Sequence, residues 1–243
     1  MGKTTFALNV VENTLRECDK PVLFFSMEMS ARDITLKMLS SMAKVNYSHL
    51  RSGEMNDGDW AKLSASMAML KEKEFHVIDR PALTPTELKH RARKFKRSHP
   101  DLGLIVVDYL QLMTVPSLTG NRNLEIGHIS AALKTLAKEL KIPVIALSQL
   151  NRSVDERRDK RPFMSDLRDS GSIEQDADVI LFVYREEVYD KDNKDVKGLA
   201  EIVIGKQRNG AIGNINLTFR GEFSRFDNYC PKSFAMANHL SVV

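Results

Sequence analysis

Short apolar runs of strand length alternate with stretches of helical periodicity through the first two-thirds of the chain, and that alternation limits the fold more than any other feature. Apolar residues at helical spacing (Phe6 with Val10, then Leu8, Val11 and Leu15) predict a helix over residues 4–18. PVLFFSM at 21–27 reads as a buried strand, and Ser30 with Asp33 resembles a variant capping box opening a second helix with Ile34 and Met38. Trp60, Leu63, Met67 and Leu70 form a further helical stripe, followed by a short strand, FHVID, at 75–79. Thr84-Pro85-Thr86-Glu87 has the order of a helix start: cap, proline, then a glutamate three residues on. The most apolar run lies within 102–113, a helix with Ile129, Leu133, Leu136 and Leu140 is expected over 124–140, and PVIALSQL (143–150) and DVILFVYR (178–185) read as strands. Two β-runs, 199–207 and 212–220, flank Asn209-Gly210, a strong hairpin signal. The expectation is one α/β domain: a mainly parallel sheet flanked by helices, with a C-terminal antiparallel hairpin.

Composition excludes several classes. Apolar residues make up 42% and charged residues 28% of the 243, which suits a globular protein with a sizeable core. Every long apolar run is broken well short of the ~18 residues a membrane span needs. There is no charged-then-apolar leader, and a reducing cytoplasm is the expected compartment. The two cysteines, Cys18 and Cys230, rule out a disulfide scaffold and have no zinc-ligand spacing. A net charge of +4 permits a nucleic-acid partner without requiring one.

The chemistry concentrates at a few points. Gly2-Lys3-Thr4-Thr5 directly precedes a helix and matches the second half of a P-loop, GxxxxGK[ST]. In that motif backbone amides and the helix N-terminus receive phosphate, the lysine reaches the outer phosphates, and the hydroxyl holds magnesium. Leu104-Ile105-Val106-Val107-Asp108 is a buried-strand pattern ending in an acid, as in a Walker B motif, where the carboxylate helps hold magnesium. Glu28, just after a strand, is either a base for an attacking water or an acid favoured by a helix dipole. Ser148-Gln149 ends another strand, where an amide could sense phosphate or simply face solvent. Lys206 and Arg208 flank Gln207 near the hairpin tip, suited to a neighbour's phosphate site or to solvent. The basic helix at 86–97 is read as a solvated outer face. The 124–140 seam is read as a helix buried against the sheet, and the eleven methionines as core packing.

Together, MGKTTFALNV, LFFSMEMS, LIVVDYLQLM, VIALSQLNRSVDERRDKRP, DLRDSGSIEQDADVILFVYR and KQRNG resemble the C-terminal motor domain of the DnaB family of replicative DNA helicases. The resemblance runs to Phe226 and implies a RecA-like P-loop ATPase core over residues 1–227, with 228–243 a C-terminal tail. It implies a ring-shaped homohexamer on single-stranded DNA, ATP-driven 5′-to-3′ translocation with Mg2+, and unwinding of duplex at the replication fork. Primase and a helicase loader are the implied partners. On this resemblance Gly2, Lys3, Thr4 and Thr5 bind nucleotide, Thr4 and Asp108 hold magnesium, and Glu28 is the catalytic base. Gln149 couples the γ-phosphate to DNA, Arg208 is an arginine finger for the neighbouring subunit, and Lys206 stands beside it. The loop of Arg168, Asp169, Ser170 and Gly171 grips DNA phosphates, with Arg152–Arg161 supporting it. A backbone grip suits a motor that tracks any sequence, and the single aromatic of 151–172, Phe163, argues against base stacking.

Two features depart from the family pattern. The helical collar domain and the strand preceding the P-loop, with the front of that loop, are absent from this sequence. The expectation is therefore weak ATP binding and poor assembly for the chain by itself. The rival readings are another RecA-like ATPase, such as a recombinase or a phage primase-helicase motor, and a non-catalytic platform that binds a loader or primase.

Overall fold

The computed structural model describes residues 2–167 and 171–230, the side chain of Arg152 excepted. Helix α1 (Lys3–Glu17) buries Leu8, Val11 and Leu15 of the expected residues together with Ala7, while Phe6 and Val10 are half-buried. Strand β1 (Val22–Ser26) is buried along its whole length. Helix α2 (Ala31–Ala43) opens as its sequence implies: the Ser30 hydroxyl accepts from the Asp33 amide at 3.1 Å and donates to the Asp33 carboxylate at 2.7 Å. Helices α3 (Tyr47–Ser52) and α4 (Asp57–Glu72) lead to β2 (Phe75–Asp79). Helix α5 (Pro85–Ser98) carries the full capping box between Thr84 and Glu87, and β3 (Leu104–Asp108) follows, buried throughout. Helix α6 (Arg122–Leu140) starts at an Asn121 cap and precedes β4 (Val144–Ala146). The remainder comprises α7 (Gly171–Asp176) and strands β5 (Val179–Tyr184), β6 (Leu199–Gln207), β7 (Gly213–Arg220) and β8 (Arg225–Asn228).

The strands form two four-stranded sheets, one parallel in the order β2-β1-β3-β4 and one antiparallel in the order β5-β6-β7-β8. In β1 and β3 alternate side chains go to opposite faces. Leu23, Phe25, Ile105 and Val107 meet Leu88 and Ala92 of α5 and Ile129, Leu133 and Leu136 of α6. Val22, Phe24, Leu104 and Val106 meet Leu8 and Val11 of α1 and Ile34 and Met38 of α2. A sheet covered on both faces needs apolar residues at every strand position, which is why these strands read as continuous runs. The parallel register sets Ser26 opposite both Asp79 and Asp108, so the strands end level and their loops share one edge.

Among the described residues no ladder joins β4 to β5. The halves meet through side chains. Arg225 of β8 donates to both oxygens of the buried Glu12 of α1 at 2.7 and 3.0 Å, and the Phe226 amide donates to Asn9 Oδ1 at 2.7 Å. Ser41 of α2 completes the network, donating to Glu12 at 2.6 Å and accepting from Asn9 at 3.0 Å. On the other side Lys134 of α6 is paired with Asp178.

The expected hairpin forms with nearly the expected bounds and is part of a four-stranded sheet, its β6–β7 ladder closing at Ile204↔Gly213. Three readings are corrected. The 143–150 run gives only a three-residue strand. The α4 stripe is only partly covered: Leu63 is buried and Leu70 packs against the core, but Trp60 and Met67 are 51% and 52% exposed. Strand β8 lies where the sequence offered no strand pattern.

Candidate active site

The N-terminus of α1 is shaped to receive an anion. Gly2 sits at φ +100°, a backbone region closed to most side chains, and a Cβ there would stand 3.2 Å from Cζ of Phe226. No side chain caps the helix and no acid lies in its first turn, so its leading amides and dipole face outward unopposed. The Thr4 hydroxyl donates to Asp108 Oδ2 at 2.8 Å, tying the helix to the tip of β3.

Asp108 is fully buried, and its other oxygen, Oδ1, has no hydrogen-bond partner. Burial pushes its carboxyl above the usual range, and the negative charge of Glu28 adds to this. The Thr4 hydrogen bond and the charges of Lys3 and Lys37 pull the other way. Lys3 is pushed below its ordinary value by burial, against the attraction of Asp108 and Glu28. Its ammonium lies 5.4 Å from the centre of the Tyr109 ring. A buried carboxylate oxygen without a donor is costly, and a hard cation is its natural partner. Among the described residues no three His, Cys, Asp or Glu side chains cluster as a metal cage. One carboxylate and one hydroxyl suit Mg2+, which takes few protein ligands and shares its shell with substrate phosphates.

Glu28 occupies the turn after β1. The Ser26 hydroxyl clasps that turn, donating to the Met29 carbonyl at 2.6 Å and accepting from its amide at 3.1 Å. The Met27 amide donates to the Asp108 carbonyl at 2.8 Å. Glu28 is thus fixed beside Asp108 while its side chain stays exposed to water. Gln149 lies at the same edge of the sheet, past β4, with its side chain exposed. Its main chain is held by Gln111: the Gln149 amide donates to Oε1 at 3.1 Å, and Nε2 donates to Ser148 Oγ at 2.8 Å.

Lys206 and Arg208 are not gathered into this group. Lys206 donates to the Glu174 carbonyl, and Arg208 to the Gln175 carbonyl at 2.8 Å, with Asp178 as its ion-pair partner at 3.2 Å. Hydrogen bonding from Lys134 holds Asp178 below the usual carboxylate range. Of the expected DNA-contacting residues, Arg168 and Asp169 lie outside the described residues, as does Ser170. Gly171 is exposed at the start of α7. The preceding basic run is largely committed elsewhere. Arg157 forms a two-pronged pair with Asp166 at 2.7 and 3.1 Å and lies over Phe163, and Arg161 pairs with Glu201 at 2.7 Å. Arg158 is exposed with no partner among the described residues.

Residues 1–228 match the family model of the DnaB-like helicase C-terminal domain. The chain belongs to that family. It is 58% identical over 236 residues to the replicative DNA helicase DnaB of Buchnera aphidicola subsp. Baizongia pistaciae, covering 97% of this chain and 51% of the relative. It is 55% identical over 230 residues to the same helicase of Pasteurella multocida, covering 94% and 49%. The chain thus spans about half the length of the curated relatives it matches. Among solved structures, a DnaB-like replicative helicase described together with its interactions with primase superposes with a TM-score of 0.89 at 35% identity, covering 95% of this chain and 55% of that one. A KaiC-like protein of Pyrococcus horikoshii gives 0.59 at 17% identity over 94% and 84%, a likeness of fold alone.

In this DnaB-like domain the sequence-predicted Gly2, Lys3, Thr4, Thr5, Glu28, Asp108 and Gln149 fall along one edge of the parallel sheet. Two residues there were not anticipated. Lys37 of α2 acts electrostatically on Asp108, and its ammonium rests 3.5 Å from Met29 Sδ instead of on a carboxylate. In sequence it is an ordinary polar position beside Met38 on an amphipathic helix. Gln111 hides in LIVVDYLQLM, where nothing in the spacing marks it as reaching β4.

Proposed function

We propose that this domain is the ATP-hydrolysing motor of a replicative DNA helicase that moves 5′ to 3′ on single-stranded DNA and unwinds duplex as a ring hexamer. The observation that carries this reading is the buried Asp108, one oxygen bonded to Thr4 at the mouth of an uncapped helix and the other without a partner. That arrangement suits a magnesium-bound nucleoside triphosphate. Lys3 and the amides at Gly2, Thr4 and Thr5 would receive the phosphates, with Lys3 balancing their charge. Mg2+ would be held by Thr4 Oγ1 and, through its water shell, by Asp108, and would neutralise charge on the transferring phosphoryl group.

Glu28 is exposed to water and fixed beside Asp108, where it orients and deprotonates an attacking water. Gln149, at the same edge, would couple the γ-phosphate to DNA. Arg208 and Lys206, held away from their own chain's Asp108, act on the nucleotide of the neighbouring subunit. Arg168, Asp169 and Gly171 contact the DNA backbone. We assign residues 1–227 to the motor and 228–243 to a tail, the cytoplasm as the compartment, and a primase and a loader as partners of the ring. Among the described residues no helix is long and apolar enough to cross a membrane.

The test is unwinding of forked DNA with either a 5′ or a 3′ single-stranded tail, using this chain and a form extended upstream through the P-loop and collar. ATP-dependent strand separation on the 5′-tailed fork supports the reading. A strict preference for the 3′ tail, or strand separation without ATP, refutes it.

A further inference from the structure

We infer that Gln111 is a positioning residue that links the nucleotide site to the segment leading to the DNA loop, through the main chain of Gln149. The inference deepens the helicase reading and rests on it. Strands β3 and β4 pair as far as Val107↔Ala146. The ladder closes with the Leu147 amide donating to the Val107 carbonyl and the Leu110 amide donating to the Leu147 carbonyl, both at 2.9 Å. Residues 110–112 then enter a 3-10 turn, which takes the β3 side off the strand path.

The Gln111 side chain continues the pairing. Its Oε1 accepts from the Gln149 amide at 3.1 Å, while Nε2 donates to Ser148 Oγ at 2.8 Å and to the Gln149 carbonyl at 3.4 Å. A carboxamide carries the same donor and acceptor as a peptide unit, so it can serve as one more rung of the ladder. The orientation of the amide is settled by its partner, because a backbone N–H can only donate. A glutamate would keep the acceptor and lose both donations.

Gln111 is itself anchored at its back. Its carbonyl accepts from Arg122 Nη2 at 2.6 Å, and Arg122 is paired with Glu125, whose carboxylate accepts the Val115 amide at 2.7 Å. In front, Asp108 takes the Thr4 hydroxyl and Tyr109 lies under the Lys3 ammonium. The segment 108–111 therefore touches the phosphate site with its first two residues and the Gln149 main chain with its fourth. One residue beyond Gln149, Leu150 forms a β-bridge with Leu167, closing the base of the segment that runs up to the DNA loop. A displacement of Asp108 on nucleotide binding or loss passes to that base through short hydrogen bonds, a contiguous route for coupling.

The test pairs amide hydrogen exchange with turnover for Gln111→Ala and Gln111→Glu. In Gln111→Ala the Gln149 amide should exchange about tenfold faster, the loss of one hydrogen bond, with the β3 and α6 amides unchanged. Stimulation of ATP turnover by single-stranded DNA should fall severalfold or more, while DNA-free turnover and the KM for ATP stay near wild type. Gln111→Glu should keep Gln149 protected and show intermediate stimulation. Unchanged exchange at Gln149 in Gln111→Ala overturns the contact. Equal loss of DNA-free and DNA-stimulated turnover overturns the positioning role. In the form extended upstream through the P-loop and collar, wild-type turnover that DNA does not stimulate removes the helicase reading and the relay with it, and the exchange result separates that failure from a failure of the contact.

Discussion

At the carboxyl ends of β1 and β3, Lys3, Glu28, Asp108 and Lys37 lie close enough to act on one another's charge, and one buried carboxylate oxygen is left without a partner. At the end of β6, two cations rest on the carbonyls of Glu174 and Gln175 and on Asp178, with every contact local. The first region is electrostatically incomplete by itself and gains from a bound cation and phosphate. The second is satisfied, its cations on surface contacts that are cheap to exchange. Both sit on rigid strands, but only the parallel sheet brings several loops to one edge. A single chain can therefore gather Lys3, Glu28 and Asp108 at one edge, while the cationic pair lies apart from them.

The sharpest way to break this contrast is Arg208→Ala. Its expected effect is a loss of about a thousandfold in ATP turnover with nucleotide binding spared, read by single-turnover kinetics beside equilibrium binding. Mixing it with Glu28→Ala subunits should recover only a small fraction of activity. Wild-type hydrolysis by Arg208→Ala ends the finger assignment. Next comes the join between the two regions. Removing Glu12 as Glu12→Ala leaves Arg225 half-paired in a buried site and should cost about 3–5 kcal/mol, measured by urea unfolding. A loss well under 1 kcal/mol would show that β8 is not held through α1.

A smaller effect sharpens the account of the incomplete site. Asp108 holds its proton more tightly when folded than when unfolded, so ligand-free stability should fall as pH rises from near 4 through its raised pKa and then level off. Asp108→Asn should flatten that slope, and an unaltered slope would assign it to other groups. The smallest effect is at Arg158. Arg158→Ala should weaken single-stranded DNA binding a few-fold, equally across sequences, and reduce the salt slope by about one. A change confined to one DNA sequence would contradict a backbone contact.

The parallel half was legible because its determinants are local. Strands buried on both faces are written as uninterrupted apolar runs, LIVVD among them, and the caps at Ser30 and Thr84 are written as polar residues at fixed spacing. The antiparallel half was less so. Strand β8 has the sequence Arg-Phe-Asp-Asn, and what makes it a strand is its pairing with β7 and the grip of Glu12 and Asn9 more than two hundred residues away. No window of sequence contains that partner. The α4 stripe misled because helical spacing shows which residues share a face and not whether anything covers it, and Trp60 and Met67 remain exposed. In the site, Lys3, Thr4 and Asp108 were readable from motif chemistry. Lys37 and Gln111 were not: Lys37 acts on Asp108 through its charge from a separate helix, and Gln111 through hydrogen bonds to a segment 38 residues further along the chain. The run around Arg157 and Arg161 looked like a DNA-facing cluster, yet Asp166 and Glu201 claim both guanidinium groups.

The most direct measurement is ATP hydrolysis with and without single-stranded oligothymidine, on this chain and on one extended upstream through the P-loop and collar, each beside its Lys3→Ala variant. The expected result is hydrolysis that DNA stimulates in the extended form and that Lys3→Ala abolishes. No hydrolysis in either form, or hydrolysis that survives Lys3→Ala, would contradict the assignment of this edge of the parallel sheet as the motor's nucleotide site.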